Sequence, residues 1–120
     1  VLSDRKEILR QIQALLINQS VPKLAIGWYI HGKKDATRPV TLGTFGSAST
    51  GIDSPHWRVL LMATPRKDTE QAVARVLREG DPIVIEIVDT ASRMSRNLAK
   101  SKLPFYKQIA DEIRGAEILR

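Results

Sequence analysis

The chain contains no cysteine, and this absence excludes disulfides, thiolate zinc sites and thiol nucleophiles. A cysteine-free composition fits a reducing compartment, and we expect a cytoplasmic protein. Long apolar runs are also missing, since stretches such as Ala14 to Ile17 and Val59 to Ala63 are far shorter than the roughly 20 residues that span a bilayer. The sequence therefore predicts no membrane-spanning helix and no membrane partner.

Acidic residues are scarce relative to basic ones. The 120 residues include 19 Lys and Arg against 13 Asp and Glu, which gives a formal net charge of +6 at pH 7. Such an excess attracts anionic partners over long range. We expect nucleic acid first, either DNA or RNA, although a solvated surface without a ligand has the same composition. A protein partner or a homo-oligomer is the second expectation.

Motifs for cofactors and metals are absent as well. The sequence has no Gly-x-x-x-x-Gly-Lys phosphate loop, no Gly-x-Gly-x-x-Gly turn and no cluster of zinc ligands. Asp81 and Glu86 invite comparison with the carboxylates of metal-dependent nucleases, but Val88 stands where the Lys of that pattern would follow. We therefore predict no cofactor and no metal site, and we expect a binding role ahead of an enzymatic one.

Hydrophobic periodicity predicts the elements of the first half of the chain. Apolar residues spaced three and four apart predict a helix that begins after Asp4, with Asp4 and Glu7 as a capping box. The helix should end near Asn18 to Ser20, because Pro22 disfavours helical geometry just before it. From Leu24 the period changes to two, which predicts a strand. Val40 to Phe45 is a second β-prone run, so we expect the two strands to form a hairpin with a basic tip.

The second half of the chain continues the alternation of strands and helices. Its β-branched run predicts a central strand covered on both faces. A Gly- and Ser-rich stretch predicts a mobile loop. In chain order we predict a loop at Gly46 to Pro55, a strand at Trp57 to Ala63, a helix from Thr64 to Leu77, the central strand at Ile83 to Val88, a helix capped by Asp89 and Thr90, a further helix from Pro104 to Gly115, and a frayed end or short strand at Ala116 to Arg120.

The element order α-β-β-β-α-β-α-α predicts the fold class. We expect one α+β domain over residues 1–120, with a mainly antiparallel sheet of three to four strands and helices packed on it.

A basic cluster in the C-terminal part is the strongest functional feature. No acidic residue separates its members, and three of them project from one side of the helix predicted after Thr90. Two lysines in the hairpin tip would extend this surface, and one tyrosine could stack on a base. The predicted nucleic-acid-binding residues are Arg93, Arg96, Lys100, Lys102, Lys107, Lys33, Lys34 and Tyr29.

Two other functions fit the same residues. A protein-interaction module would dock a partner through Leu- and Ile-rich helices or an open sheet edge. A small metal-independent ribonuclease would use His31 and His56 as general acid and base. The salt dependence of binding distinguishes nucleic-acid binding from docking of a protein partner. Phosphate binding weakens steeply as the salt concentration rises, whereas protein docking responds less.

Overall fold

The computed structural model describes residues 1–48, 57–64, 66, 67, 69, 82–109 and 113. Most of the predicted loop, most of the helix predicted from Thr64, and the end of the chain after Ile113 lie outside these residues. The described strands are β1 (Leu2–Ser3), β2 (Ile26–Ile30), β3 (Lys33–Lys34), β4 (Val40–Thr44), β5 (Val59–Met62) and β6 (Ile83–Glu86), and the described helices are α1 (Lys6–Asn18), α2 (Phe45–Ala48) and α3 (Arg93–Ile109).

The described strands form one sheet with the order β3-β2-β4-β1-β5-β6. Every pairing in it is parallel except that between β2 and β3. The protein is therefore a mixed α/β fold with a mostly parallel sheet, and the prediction of a mainly antiparallel α+β sheet is wrong. The strands β2, β5 and β6 are nearly continuous apolar runs, which is the pattern typical of parallel sheets.

The predicted hairpin between β2 and β4 is wrong because the chain reverses earlier. Gly32 has a φ of +84°, a conformation that glycine adopts at little cost, and it allows Ile30 to pair with Lys33. After the short β3 the chain crosses back over β2, and β4 then lies parallel to β2. Lys33 and Lys34 therefore belong to an edge strand.

The crossing segment, residues 35–39, lies directly on Gly27. A Cβ atom at Gly27 would be 2.7 Å from the carbonyl oxygen of Asp35 and 2.9 Å from Cγ of Arg38. The backbone of Asp35 is itself held, because its N–H donates to the carbonyl oxygen of Trp28 at 2.9 Å. Glycine at position 27 thus lets the chain cross β2 closely enough to place β4 beside it.

Helices cover both faces of the sheet, and each face has its own core. On one face α1 packs Leu9 against Ile26 and Leu42. On the other face, α2 contributes to a second cluster and side chains of α3 pack against it. The buried residues of this second cluster are Leu2, Tyr29, Phe45, Ala48, Leu60 and Met62.

The strand predicted as central, β6, is the outermost strand of the described sheet. Val84 packs against the core on the α3 side, but the alternate residues Ile83 and Ile85 are 56% and 45% exposed. The prediction that both faces of this strand are buried is therefore wrong for the part of the chain that the structure describes. The helix α1 packs on β1 and β4, and β5 lies between these strands and β6. It therefore does not cover β6.

The first predicted helix is confirmed as α1, but its capping box is wrong. The N-cap position is Arg5, and no side chain caps the helix there. The carboxylate of Asp4 accepts a hydrogen bond from Arg66 instead. A long-range ion pair has thus replaced the local contact that the sequence pattern favours.

The last two predicted helices form the single helix α3, which continues through Pro104. Proline removes one backbone hydrogen bond and usually ends a helix. Here residues on both sides of Pro104 reach the same partner, because Lys102 and Tyr106 both donate to the carboxylate of Glu86. These tertiary contacts hold the helix in one piece against the sheet. Among the described helices, none has the length and apolar character needed to cross a membrane.

Candidate nucleic-acid interface

Four exposed basic residues of α3, Arg93, Arg96, Lys100 and Lys107, lie on one side of the helix. At 3.6 residues per turn they fall within an arc of about 60°. The buried residues Ser95 and Lys102 lie on the opposite side, toward the sheet. We call these four residues the basic face of α3, and the arrangement presents their positive charges together to solvent.

The N-terminal end of the basic face is fixed by local hydrogen bonds. The guanidinium of Arg96 donates to the backbone carbonyl of Thr90. The hydroxyl of Ser92 accepts from the N–H of Ser95 at 3.3 Å and so satisfies one N–H group of the first turn. The hydroxyl of Ser95 in turn accepts from the N–H of Asp89 at 3.0 Å. These contacts join the start of α3 to the segment that follows β6.

Lys102 does not belong to the basic face, and its assignment to an exposed surface is wrong. It is 5% exposed, and its Nζ donates to the carboxylate of Glu86 and, at 2.8 Å, to the carbonyl oxygen of Arg66. Burial lowers the pKa of Lys102 to about 8, and burial also raises the pKa of Tyr106 beside it. At neutral pH Lys102 is still mainly protonated and forms an internal ion pair.

Tyr29 cannot serve as an open stacking platform. Its side chain is 8% exposed and belongs to the core cluster between the sheet and α2. Nζ of Lys34 lies 5.9 Å from the centre of its ring, so a cation already occupies this position. The structure therefore places Tyr29, predicted to stack on a base, in the core and not on the exposed surface.

Lys33 and Lys34 are exposed but lie far from the basic face. They form β3 at one edge of the described sheet, whereas α3 contacts Glu86 of β6 at the other edge. Five strand spacings of about 4.8 Å separate these edges, or roughly 24 Å. The structure therefore does not bring the two lysines into the surface formed by α3.

The structure reveals a polar group at the carboxyl ends of β1, β4 and β5, which are neighbours in the sheet. In parallel sheets, ligands bind preferentially beyond these strand ends, near the point where successive connections leave in opposite directions. The strand order places such a point at β1. The connection that follows β1 leads to β2 on one side of it, whereas the connection that follows β4 leads to β5 on the other side. We call this group the carboxyl edge, and its members are Asp4, Thr44, Ser47, Thr64 and Arg66.

Within the carboxyl edge, hydrogen bonds join Asp4 to Thr64 and to Arg66, and a further one joins Thr44 to Ser47. The N–H of Asp4 donates to Oγ1 of Thr64 at 2.9 Å, and the guanidinium of Arg66 donates to the Asp4 carboxylate at 3.0 Å. The hydroxyl of Thr44 donates to that of Ser47 at 3.0 Å. Because Lys102 holds the carbonyl oxygen of Arg66, α3 lies next to this edge.

Sequence reasoning missed the carboxyl edge as a unit. Its signal is a polar residue at the end of a strand or just after it, as at Asp4, Thr44 and Thr64. That signal indicates a shared location only when the strands are known to be parallel. The sequence analysis did not predict β1, and its antiparallel sheet placed the ends of the strands that became β4 and β5 at opposite edges.

The residues of the ribonuclease and nuclease hypotheses are not brought together by the described part of the structure. His31 is exposed in the turn between β2 and β3. His56 and Asp81 lie outside the described residues. Glu86 is engaged with Lys102 and Tyr106.

Comparison with known proteins gives one partial similarity. The chain is similar to a protein of Acanthamoeba polyphaga mimivirus named "Putative ATP-dependent RNA helicase", with 32% identity over 117 residues, covering 89% of this chain and 22% of that protein. The chain thus spans about a fifth of the length of this relative. No protein-family model matches the chain. No solved structure matches it either.

Proposed function

We propose that this chain is an RNA-binding unit that holds the phosphate backbone on the basic face of α3, and that its role is binding and not catalysis. The observation that carries the proposal is the similarity to a protein named as an RNA helicase, because exposed Lys and Arg alone do not distinguish RNA from other anions. The basic face supplies the location. Its four cations are exposed on one side of a helix that is anchored to the sheet.

The position of α3 supports this location. Lys102 joins the helix to the backbone of Arg66, so the basic face adjoins the carboxyl edge, where a strand-order reversal favours ligand binding. Phosphate contacts from Arg and Lys position a nucleic acid without reading its bases. The proposal therefore includes affinity for the backbone and no sequence preference.

Replacing three residues of the basic face, Arg93→Ala, Arg96→Ala and Lys100→Ala together, is expected to weaken RNA binding about tenfold or more. The loss of three phosphate contacts should also lower the slope of log affinity against log salt by about 2 for single-stranded RNA. Fluorescence anisotropy with labelled single-stranded RNA, duplex RNA and DNA, each at low and near-physiological salt, measures both quantities.

A matched control removes the same charge from the opposite face of the sheet. Lys6, Arg10 and Lys23 are exposed on and after α1, and their triple alanine variant is expected to change affinity by less than about threefold. Equal weakening in both variants would show that net charge alone determines binding. No binding of the wild type to any nucleic acid at low salt would overturn the proposal and favour the protein-interaction alternative.

A further inference from the structure

The guanidinium of Arg66 is the cation at the centre of the carboxyl edge. Lys102 fixes its backbone through the carbonyl oxygen, and the guanidinium carbon lies 5.2 Å from the ring centre of Phe45. Yet 38% of the Arg66 side chain remains exposed. The backbone of Arg66 is thus fixed, the ring of Phe45 lies beside its guanidinium, and part of the side chain is open to solvent.

The described partner of this guanidinium is the carboxylate of Asp4, which is 43% exposed and 3.0 Å away. The contact joins two positions that are 62 residues apart in sequence. Ion pairs exposed to this degree contribute little to stability, because solvent screens them and both side chains lose freedom. Another anion can therefore replace the Asp4 carboxylate at this guanidinium with little loss of stability.

We propose that Arg66 binds a phosphate of the RNA backbone and that Asp4 competes with this phosphate for the guanidinium. A backbone phosphodiester carries one negative charge, as a carboxylate does, and it accepts two parallel N–H donors from an arginine. The neighbouring phosphates of the RNA add their charge to the attraction, which a single carboxylate cannot do. Asp4 thus holds Arg66 in position while no RNA is bound, and its competition lowers the affinity for RNA. This inference rests on the proposed RNA binding and assigns a second contact point beside the basic face of α3.

The test is Asp4→Asn, which removes the competing charge and leaves the N–H that binds Thr64. We expect RNA affinity to increase about fivefold and the salt slope to steepen by about 0.7, the value for one further phosphate contact on a single strand. Because the Asp4 side chain does not cap α1, the fold should be unaffected, as circular dichroism and the melting temperature would show.

Asp35→Asn provides the matched control. Asp35 also forms an exposed ion pair with an arginine, Arg38, at 3.3 Å. This pair lies beside Gly27, at the amino end of β2 and away from the carboxyl edge. Both variants raise the net charge by one, so the difference between them isolates the local effect. Equal affinities for the two variants, or weaker binding by Asp4→Asn, would overturn the inference.

A double variant identifies the cation for which Asp4 competes. Arg66→Gln alone is expected to weaken RNA binding about fivefold, and adding Asp4→Asn to it should give no gain, because the two changes act on one contact. A gain that persists without Arg66 would rule out Arg66 as the phosphate ligand. Absence of RNA binding by the wild type would instead refute the proposed function itself and this inference with it.

Discussion

Replacing Lys102 with methionine is expected to destabilise the protein by about 3 to 5 kcal/mol, the range for breaking one side of a buried ion pair. The side chains of Lys102 and Glu86 are 6% and 14% exposed, so the carboxylate would lose its counter-charge with little access to water. The carbonyl oxygen of Arg66 would lose a donor as well. Urea unfolding followed by circular dichroism measures this free energy.

Two variants show whether the loss comes from the unpaired charge. Adding Glu86→Gln to Lys102→Met should recover more than half of the loss, since the amide oxygen still accepts from the Tyr106 hydroxyl, which now donates to Glu86 at 3.2 Å. Lys100→Met, two residues away and exposed, should change stability by less than about 0.5 kcal/mol. A Lys102→Met variant as stable as Lys100→Met would contradict the buried ion pair.

Gly27→Ala is expected to cost about 3 kcal/mol, at the upper end for overpacking a filled site. The new Cβ would lie 2.7 Å from a backbone oxygen, which cannot rotate away as a side chain can. Relief requires the crossing segment to move off β2, and this would strain the hydrogen bond between Asp35 and Trp28. The free energy of unfolding in urea and the melting temperature report the effect.

Gly46→Ala is the matched control, because a Cβ there would meet no atom of the described residues within 4 Å. Gly46 lies within the short helix α2, where alanine is the better helix former, so this change should be neutral or stabilising by up to about 1 kcal/mol. If both variants lost the same stability, the crossing segment would not be the cause. Partial rescue of Gly27→Ala by Arg38→Ala is also expected, since Arg38 Cγ is the second crowded atom.

The stability and binding predictions concern the same part of the fold. The Lys102 and Glu86 pair fixes α3 to β6, and the hydrogen bond to Arg66 fixes it to the segment after β5. Both proposed phosphate-binding elements, the basic face of α3 and Arg66, therefore depend on one buried lysine. Lys102 acts on binding through the position of these groups and not by contact with phosphate.

Local patterns predicted the elements well where neighbouring residues control the structure. The three- and four-residue spacing of Leu9, Ile12 and Leu16 predicted α1. The alternation from Leu24 predicted β2, although Lys23–Ala25 form a short 3-10 helix and the strand begins at Ile26. The spacing of Arg93, Arg96 and Lys100 predicted a shared exposed side, which the helix α3 confirms. Each of these features follows from the period of one helix or strand.

Predictions failed where distant residues compete with local ones. Asp4 has the sequence context of a helix cap but forms an ion pair with Arg66. Lys102 has the context of a surface lysine, yet Glu86 and the carbonyl of Arg66 bind it in the interior. The periodicity of one segment cannot predict such partners, because the partners lie on or next to strands that become neighbours only in the folded sheet.

The sequence by itself determined the composition, the excess of positive charge, the helical period of α1 and α3, and the apolar runs that become strands. The tertiary structure alone decided the direction and order of those strands, since a turn at Gly32 and a crossing over Gly27 make β4 parallel to β2. Parallel pairing then gathered Asp4, Thr64 and Arg66 at one edge. The reason is physical: local propensities act within a few residues, whereas strand pairing and burial depend on contacts between segments distant in the chain.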